Sequence, residues 1–297
     1  MPARAQPDGW ESPRAEWHRV SRYVSRRGAA TVARELVAAI RDNDLLTYAS
    51  AISYQIVYAI IPTALAVLAL LGFLQLGDIW SEQVAPLARE RLSAEAFALL
   101  DRAATRILGS GQVFWLTAGA AIALWQVSGA VRATMGALNR VYRVEEGRAL
   151  GRRLAISLGL AALVSTAVTL ALLLFHLGPR LLKITGLPEA LGSVARWLPA
   201  ALLLLVAVTA LARYAPARRQ PAPWMGLVAL AIVASWLLAS LLFGLYVLRV
   251  GTYTSVYGSL AAVILVLTYV YLSVVVFLAG LQLDALVRGG GPRAGER

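Results

Sequence analysis

Residues 45–72, LLTYASAISYQIVYAIIPTALAVLALLG, contain no charged side chain and are long enough to form a helix that crosses a membrane. About 20 apolar residues in a helix span the ~30 Å hydrocarbon core of a bilayer. Further stretches of the chain have the same character. The sequence therefore predicts an all-α, polytopic membrane protein with six transmembrane helices, at about residues 48–75, 113–135, 154–177, 197–212, 224–248 and 256–283.

The composition favours a membrane protein and excludes several kinds of site. The chain has 297 residues, of which 59% are hydrophobic and 15% are charged, and its mean hydropathy is +0.67. Soluble domains are about 45–50% apolar and about 25% charged. The chain has no cysteine, which excludes disulfide bonds, thiolate metal sites and cysteine nucleophiles. Residues 1–44 hold no uninterrupted apolar run, so we predict no cleavable signal peptide.

The distribution of basic residues predicts the orientation of the six helices. The net charge is +12, and loops rich in Lys and Arg stay in the cytoplasm. Most of the basic residues fall before the first span, around the end of the second span, after the fourth span and in the tail. Both termini are therefore predicted to be cytoplasmic. The basic residues predicted to lie on the opposite, outer side of the membrane are Arg89, Arg91, Arg102, Arg106, Arg180, Lys183, Arg196 and Arg249.

Two segments outside the spans are predicted to be amphipathic. Residues 1–44 form a cytoplasmic basic segment, and its apolar residues recur at helical spacing between arginines. This segment either rests on the anionic inner leaflet or packs on the cytoplasmic end of the bundle. Residues 78–111 form an outer loop in which Ser93 is a candidate N-cap of a helix. The apolar residues concerned are Trp17, Val20, Val24, Leu36, Val37 and Ile40 in the first segment, and Phe97, Leu100, Ala104 and Ile107 in the second. The transmembrane domain is residues 45–287, and residues 288–297 are a cytoplasmic tail.

Three of the predicted spans carry their polar residues on one face. At 100° per residue, the polar residues of the first span share an arc of ~160° that excludes Ala49, Ile52, Ile56, Ala59 and Ile60. Uncompensated polar groups are costly in hydrocarbon, so we expect these faces to turn inward and to line a polar interior. That interior is either a transport path or hydrogen-bonded packing between helices. We expect Arg132 to extend to the cytoplasmic interface. The candidate cavity-lining residues are Tyr54, Gln55, Tyr58, Pro62, Ser128, Arg132, Tyr257, Thr268, Tyr271 and Gln282.

The residues that hydrolytic enzymes and pumps use are scarce. No carboxylate lies well inside a predicted span, which argues against a carboxylate proton relay. The two histidines, His18 and His176, are predicted on opposite sides of the membrane. A hydrolytic metal site needs clustered His, Asp or Glu ligands, and no GxxxxGK[ST] loop is present for ATP. We therefore predict no cofactor, no metal site and no enzymatic activity.

Four stretches in family order resemble the YihY/BrkB family of bacterial inner-membrane proteins, over about residues 40–287. They are residues 45–72 quoted above, WQVSGAVRATMGALNRVYRVEEGR (125–148), YAPARRQPAPWMG (214–226) and FGLYVLRVGTYTSVYGSLAAVILVLTYVYLSVVVFLAGLQLDA (243–285). The family-motif residues are Asn139, Tyr142 and Glu145 in an N-x-x-Y-x-x-E pattern, and Tyr257, Gly258 and Ser259. Relatives often carry an acidic residue at the position of Gln282. This departure argues against a proton or cation role for this position here.

The resemblance implies a six-helix inner-membrane protein. Family members have been labelled as ribonuclease BN and as a virulence factor. The ribonuclease label conflicts with the absence of a ligand cluster and of an RNA-sized basic face, so we reject it and predict no nucleic-acid partner. Transporter-like movement of a lipid or other envelope solute is the favoured hypothesis, and a non-transporting scaffold for envelope proteins is the alternative. The expected partners are membrane lipids, with the basic N-terminal segment on the anionic leaflet.

Overall fold

In the computed structural model, all regular secondary structure is helical over the residues that it describes, which are 23, 25, 27–91, 94–110, 113–185, 189–218, 222–249 and 260–290. The all-α prediction is confirmed for this part of the chain. The elements in chain order are α1 Ala29–Asp42, α2 Leu45–Phe73, the π-helical turn π1 Trp80–Val84, α3 Ala85–Arg91, α4 Ala94–Ser110, α5 Val113–Val141, α6 Leu150–Thr185, α7 Glu189–Tyr214, α8 Ala222–Arg249, α9 Leu260–Ala285 and the π-helical turn π2 Leu286–Gly290.

Within the described ranges, four helical segments are long and apolar enough to cross a membrane. They are Leu45–Phe73, Leu150–Leu174, Val228–Val247 and Val263–Arg288. The predicted spans at 113–135 and 197–212 fall within α5 and α7. In α7 the apolar segment, Ala201–Tyr214, is shorter. The six-span count is therefore not confirmed and stays a prediction.

Helices α2 and α5 pack closely along an antiparallel line of glycines. A Cβ atom added at Gly129 would lie 2.9 Å from Oε1 of Gln55, and one at Gly136 would lie 3.0 Å from Cε1 of Tyr48. A Cβ at Gly119 would lie 3.2 Å from the backbone nitrogen of Ala66. Small residues let two helix backbones approach in a membrane, where dispersion contacts drive helix association. This contact fixes which side of α2 is buried.

The core is apolar and runs through the middle of the bundle. Buried residues of α2, α5, α6, α7, α8 and α9 join in one cluster, with Met135 and Leu138 of α5 and Leu278 and Leu281 of α9 among its least exposed members. A smaller cluster joins α2 to the segment between α2 and α5. It contains Leu68, Ala69, Trp80, Ala104 and Ile107. The amphipathic helix predicted in the outer loop is therefore present as α4, while Ser93 lies outside the described residues.

Helix α1 rests on the ends of α2 and α9. Its residues Val32 and Ala39 are buried, whereas Val37 is exposed. This arrangement corresponds to the packed alternative for the N-terminal segment, over the part of it that is described. The chain then reverses at Asp44, whose φ of 51° lies in the left-handed region, and α2 begins at the next residue.

Candidate functional site

Two tyrosines of the predicted polar face of α2 turn outward. Tyr54 and Tyr58 are 55% and 54% exposed, and their ring centroids lie 4.5 Å apart on the surface. The opposite face is buried at Ala49, Ile52 and Ala59. The prediction that Tyr54 and Tyr58 line the interior is therefore wrong. Because lipid does not drive apolar side chains inward as water does, close packing of small side chains decides which face is buried.

The remaining candidate residues have mixed locations. Thr268 is also exposed, and its hydroxyl donates to the carbonyl of Ile264, so the interior prediction is wrong for it as well. Gln55 and Pro62 are half-buried in α2, and Tyr271 is half-buried against the apolar core. Ser128 and Gln282 are buried. Tyr257, Gly258 and Ser259 lie outside the described residues.

The central cavity lies at the middle of the bundle and has an apolar wall. It has a volume of about 330 Å³ and is bordered by α2, α5, α6, α7, α8 and α9. The prediction of a polar interior is therefore wrong for this cavity, because apolar faces of the helices converge on it. The lining side chains are Ile52, Ile56, Val127, Ala130, Val131, Thr134, Val164, Leu204, Val208, Leu211, Ile232, Val233, Trp236, Val270, Ser273, Val274 and Phe277.

The few polar groups around the central cavity are paired within the protein. The Thr134 hydroxyl donates to the carbonyl of Ala130 at 2.9 Å. The Trp236 indole N–H donates to the Ser273 hydroxyl at 2.9 Å, and that hydroxyl donates to the carbonyl of Tyr269 at 2.8 Å. The central cavity therefore offers a hydrocarbon-like surface, which suits an acyl chain better than an ion or a sugar.

A second cavity lies between α2, α5 and α6 and has a volume of about 450 Å³. Four hydroxyl groups line it among Ala, Val and Leu side chains, from Thr63, Ser165, Thr166 and Thr169. A hydroxyl can donate one hydrogen bond and accept two. This hydroxyl-lined cavity therefore combines apolar walls with hydroxyl groups of the kind that can bind neutral polar groups.

Arg132 points along α5 away from the end that carries the basic loops. Its Nη1 donates to the Ser128 hydroxyl at 2.5 Å, and its guanidinium lies 5.3 Å from the centroid of the Trp125 ring. Ser128 in turn contacts the hydroxyl of Ser157 on α6 at 2.9 Å. The expectation that Arg132 extends to the cytoplasmic interface is wrong, since its partners lie toward the N-terminal end of α5.

Hydrogen bonds join five helix ends at one end of the bundle, and we call the residues that form them the end network. The Asn43 amide donates to Oε1 of Gln282 at 2.8 Å. The Tyr142 hydroxyl donates to Oδ2 of Asp284 at 2.9 Å, and Nε of Arg288 donates to Oδ1 of Asp284 at 2.9 Å. Burial and the adjacent Asp284 carboxylate raise the pKa of Tyr142, so its hydroxyl stays protonated and acts as a donor.

The second half of the end network centres on Glu146. Arg148 donates to both of its carboxylate oxygens, at 2.7 Å and 2.8 Å, and the Asn139 amide donates to Oε2 at 3.0 Å. These hydrogen bonds, led by those from Arg148, lower the pKa of Glu146 to about 2. Asn139 also accepts from the backbone N–H of Ala217 at 2.8 Å, and Arg148 donates to the carbonyl of Ala215 at 2.9 Å.

Two carboxylates of the end network were missed at the sequence level. Glu145, the acidic residue of the N-x-x-Y-x-x-E pattern, is exposed, and its neighbour Glu146 holds the network. Asp284 is buried although it lies near a helix end. Its position two residues after Gln282, on the same helix, was the available signal. Over the residues that the structure describes, no group of three or more His, Cys, Asp or Glu side chains is arranged to hold a metal ion.

Comparisons with known proteins agree with the resemblance. The "Putative ribonuclease-like protein YfkH" of Bacillus subtilis (strain 168) is 26% identical over 243 residues, which cover 80% of this chain and 87% of the relative. No solved structure matches this chain. The family model described as "Virulence factor BrkB" matches residues 36–295. With its long apolar helices, the chain is a multi-pass membrane protein and belongs to the virulence factor BrkB family.

Proposed function

We propose that this protein moves a lipid or another amphiphilic envelope component across the bacterial inner membrane. The observation that carries the proposal is the central cavity, an apolar space of about 330 Å³ lined by residues of six helices. Protein interiors are close-packed and hold few voids larger than a water molecule. A void of this size between membrane helices suggests that the bundle accommodates a guest.

The chemistry of both cavities favours an amphiphile as that guest. The central cavity presents hydrocarbon surface, whereas the hydroxyl-lined cavity adds Thr63, Ser165, Thr166 and Thr169. Among the residues that the structure describes, neither cavity has a charged side chain in its lining. An inorganic ion would therefore find no counter-charge in either cavity and would have to leave water at high cost. An acyl chain would lose nothing on entering the central cavity.

The end network supports a closed state at one end of the bundle. The Tyr142–Asp284 and Asn43–Gln282 hydrogen bonds join the ends of α2, α5 and α9. These contacts are polar and few in number, so opening them would cost little compared with separating the apolar core. In the proposed mechanism they part and re-form as the cargo passes.

The experiment is a lipid-translocation assay with a variant that fills the central cavity. Val164 lines the central cavity, and Val168, one turn further along α6, is exposed. In vesicles containing the purified protein and a fluorescent phospholipid, an impermeant quencher should bleach inner-leaflet lipid over time. We expect Val164→Phe to slow this bleaching at least severalfold, because the ring occupies the space for the cargo.

The matched control is Val168→Phe, which adds the same ring on the outer surface and should leave the rate unchanged. A wild-type protein that moves no lipid, in vesicles where its insertion is verified, would contradict the proposal. Equal rates for both variants and the wild type would exclude the central cavity as the path.

The second candidate is a scaffold for other envelope proteins, and the outward face of α2 favours it. Tyr54 and Tyr58 expose two adjacent rings, tilted by 37° relative to each other, and Trp125 on the adjoining α5 is also exposed. Aromatic residues of this kind are enriched at protein interfaces. A wild-type protein that moves no lipid but co-purifies with a defined membrane partner, lost in a Tyr54→Ala variant, would establish this role.

Catalysis is not part of the proposal. The relative in Bacillus subtilis carries a ribonuclease-like name, but hydrolytic metal sites need clustered His, Asp or Glu ligands. The carboxylates of the end network are engaged by Arg148, Arg288 and Tyr142. We infer that the protein does not cleave RNA, and that a preparation free of soluble nucleases will leave tRNA precursors intact in the presence of divalent metal.

A further inference from the structure

Cationic side chains outnumber their acidic partners where the α5–α6 loop meets α6 and α7. Arg148 donates hydrogen bonds to both carboxylate oxygens of Glu146, at 2.7 Å and 2.8 Å. The Nε atom of Arg153 lies 3.9 Å from the same carboxylate, beyond hydrogen-bond distance. The Glu146 carboxylate thus faces the guanidinium groups of both Arg148 and Arg153, and both of its oxygen atoms are hydrogen-bonded to Arg148. Arg153 therefore shares this counter-charge with Arg148, and its Nε–H makes no hydrogen bond to it.

Arg153 and Arg213 share an unusual feature. Within the described part of the chain, their Nε atoms are the buried side-chain nitrogen or oxygen atoms that lack a hydrogen-bond partner. Leaving such a group buried and unpaired costs free energy. Both side chains are partly exposed, so a small movement of either one would present its N–H group to a ligand that can accept from it.

The two arginines belong to the same corner of the molecule. Arg153 lies in the first turn of α6 and Arg213 lies in the last turn of α7, and these two helices pack against each other. Arg148 connects the two ends, since it binds Glu146 in the loop before α6 and the carbonyl of Ala215 just after α7. The backbone therefore brings both unpaired N–H groups to one end of the α6–α7 pair.

We propose that Arg153 and Arg213 form a binding site for a phosphate group, and that the occupant is the headgroup of an anionic lipid. A guanidinium presents a planar fork of donors that matches two phosphate oxygens. Both arginines lie at the ends of apolar helical segments, Leu150–Leu174 and Ala201–Tyr214, which is where headgroups meet a membrane protein. Arg213 also lies 5.3 Å from the ring centroid of Tyr214, a residue type enriched at that depth.

The site is independent of lipid transport. A lipid held at the end of α6 and α7 would anchor this corner of the bundle in the leaflet whether or not the central cavity carries cargo. Free phosphate offers the same chemistry without acyl chains, so the test must separate the two sources.

The test compares phosphatidylglycerol, phosphatidylcholine and inorganic phosphate as probes of the full-length protein in neutral detergent. Bound lipid is counted by native mass spectrometry, and binding is measured from the shift of the unfolding temperature with probe concentration. We expect preferential binding of phosphatidylglycerol. Arg153→Gln and Arg213→Gln should each weaken it about tenfold, as expected for loss of a charge-assisted hydrogen bond.

The matched control is Arg152→Gln, which removes the same charge from an exposed neighbour of Arg153 and should change the affinity less than about twofold. An equal loss in this control would overturn the site in favour of general surface charge. Binding of inorganic phosphate as tight as that of phosphatidylglycerol would overturn the lipid assignment.

If the variants fail to fold, the proposal can still be tested on the wild-type protein. Phenylglyoxal modification of arginine, mapped by mass spectrometry, should be slowed by phosphatidylglycerol at Arg153 and Arg213 but not at Arg152. Absence of protection at both sites would contradict the proposal.

Discussion

Glu146 is the residue on which the loop between α5 and α6 depends. Its carboxylate binds Arg148 through two hydrogen bonds and Asn139 through a third. The Arg148 side chain is 10% exposed, so loss of its partner leaves a largely buried charge unpaired. We expect Glu146→Gln to lower the free energy of unfolding by about 1–3 kcal/mol, measured by thermal unfolding in detergent at neutral pH.

The same contact predicts a pH dependence. The pKa of Glu146 is about 2 in the folded protein, below its ordinary value of 4.5, so the carboxylate stabilises the fold above pH 4.5. That stabilisation is lost as the pH falls toward 2. The difference in unfolding temperature between wild type and Glu146→Gln should therefore shrink across this window. A Glu145→Gln variant, at an exposed position, serves as the control, and a pH-independent gap would contradict the assignment.

The two adjacent glutamates show where a sequence pattern stops being informative. Both Glu145 and Glu146 follow α5, and the pattern pointed to Glu145. Arg143 adopts a left-handed φ of 52°, and the backbone N–H of Val144 donates back to the carbonyl of Asn139 at 2.9 Å. This turn determines which carboxylate points into the bundle. Spacing along the chain does not encode such a reversal.

At the scale of elements, α8 and α9 meet at Gly280. A Cβ atom at this position would clash with Cγ1 of Ile232, a buried residue of α8. Because Cγ1 is not the free end of a side chain, α8 and α9 would have to separate. We expect Gly280→Ala to destabilise the protein by about 1–3 kcal/mol, measured as a lower unfolding temperature in detergent.

Gly244, on α8, provides the matched control, because a Cβ there would meet no atom within 4 Å. Gly244→Ala should be neutral or stabilising by up to about 1 kcal/mol through higher helix propensity. Equal destabilisation by Gly280→Ala and Gly244→Ala would mean that α8 and α9 do not pack closely at Gly280, contrary to the structure. Ile232→Ala removes Cγ1, so a Gly280→Ala, Ile232→Ala double variant that loses less stability than the two single variants together would support the clash as the cause.

Helix positions could be read from the sequence, whereas the orientation of the helices could not. The spans predicted at 48–75 and 224–248 correspond to Leu45–Phe73 and Ala222–Arg249, because long apolar runs form helices that span a bilayer. The buried face of α2 follows from contacts with Gly119, Gly129 and Gly136 of α5. Polarity alone assigned Tyr54 and Tyr58 of α2 to the wrong side.

At the scale of the whole molecule, the end network constrains the topology. It joins the start of α2, the end of α5, the start of α6, the end of α7 and the end of α9. These five ends lie on one side of the membrane if each intervening segment crosses it an even number of times. The predicted six spans satisfy this condition, and the basic residues assign that side to the cytoplasm.

This topology can be tested with single cysteines, since the natural chain has none. An impermeant maleimide added to intact cells should label Ala94→Cys, at the start of α4, because that segment is predicted to lie outside. Gly147→Cys in the α5–α6 loop and Ala217→Cys after α7 should react only after the membrane is opened, which also controls for access to each thiol. Labelling of Ala217→Cys in intact cells would mean that α7 ends on the outer side. The end network would then have to form across a different set of crossings, because Asn139 and Ala217 share a hydrogen bond and must face the same compartment.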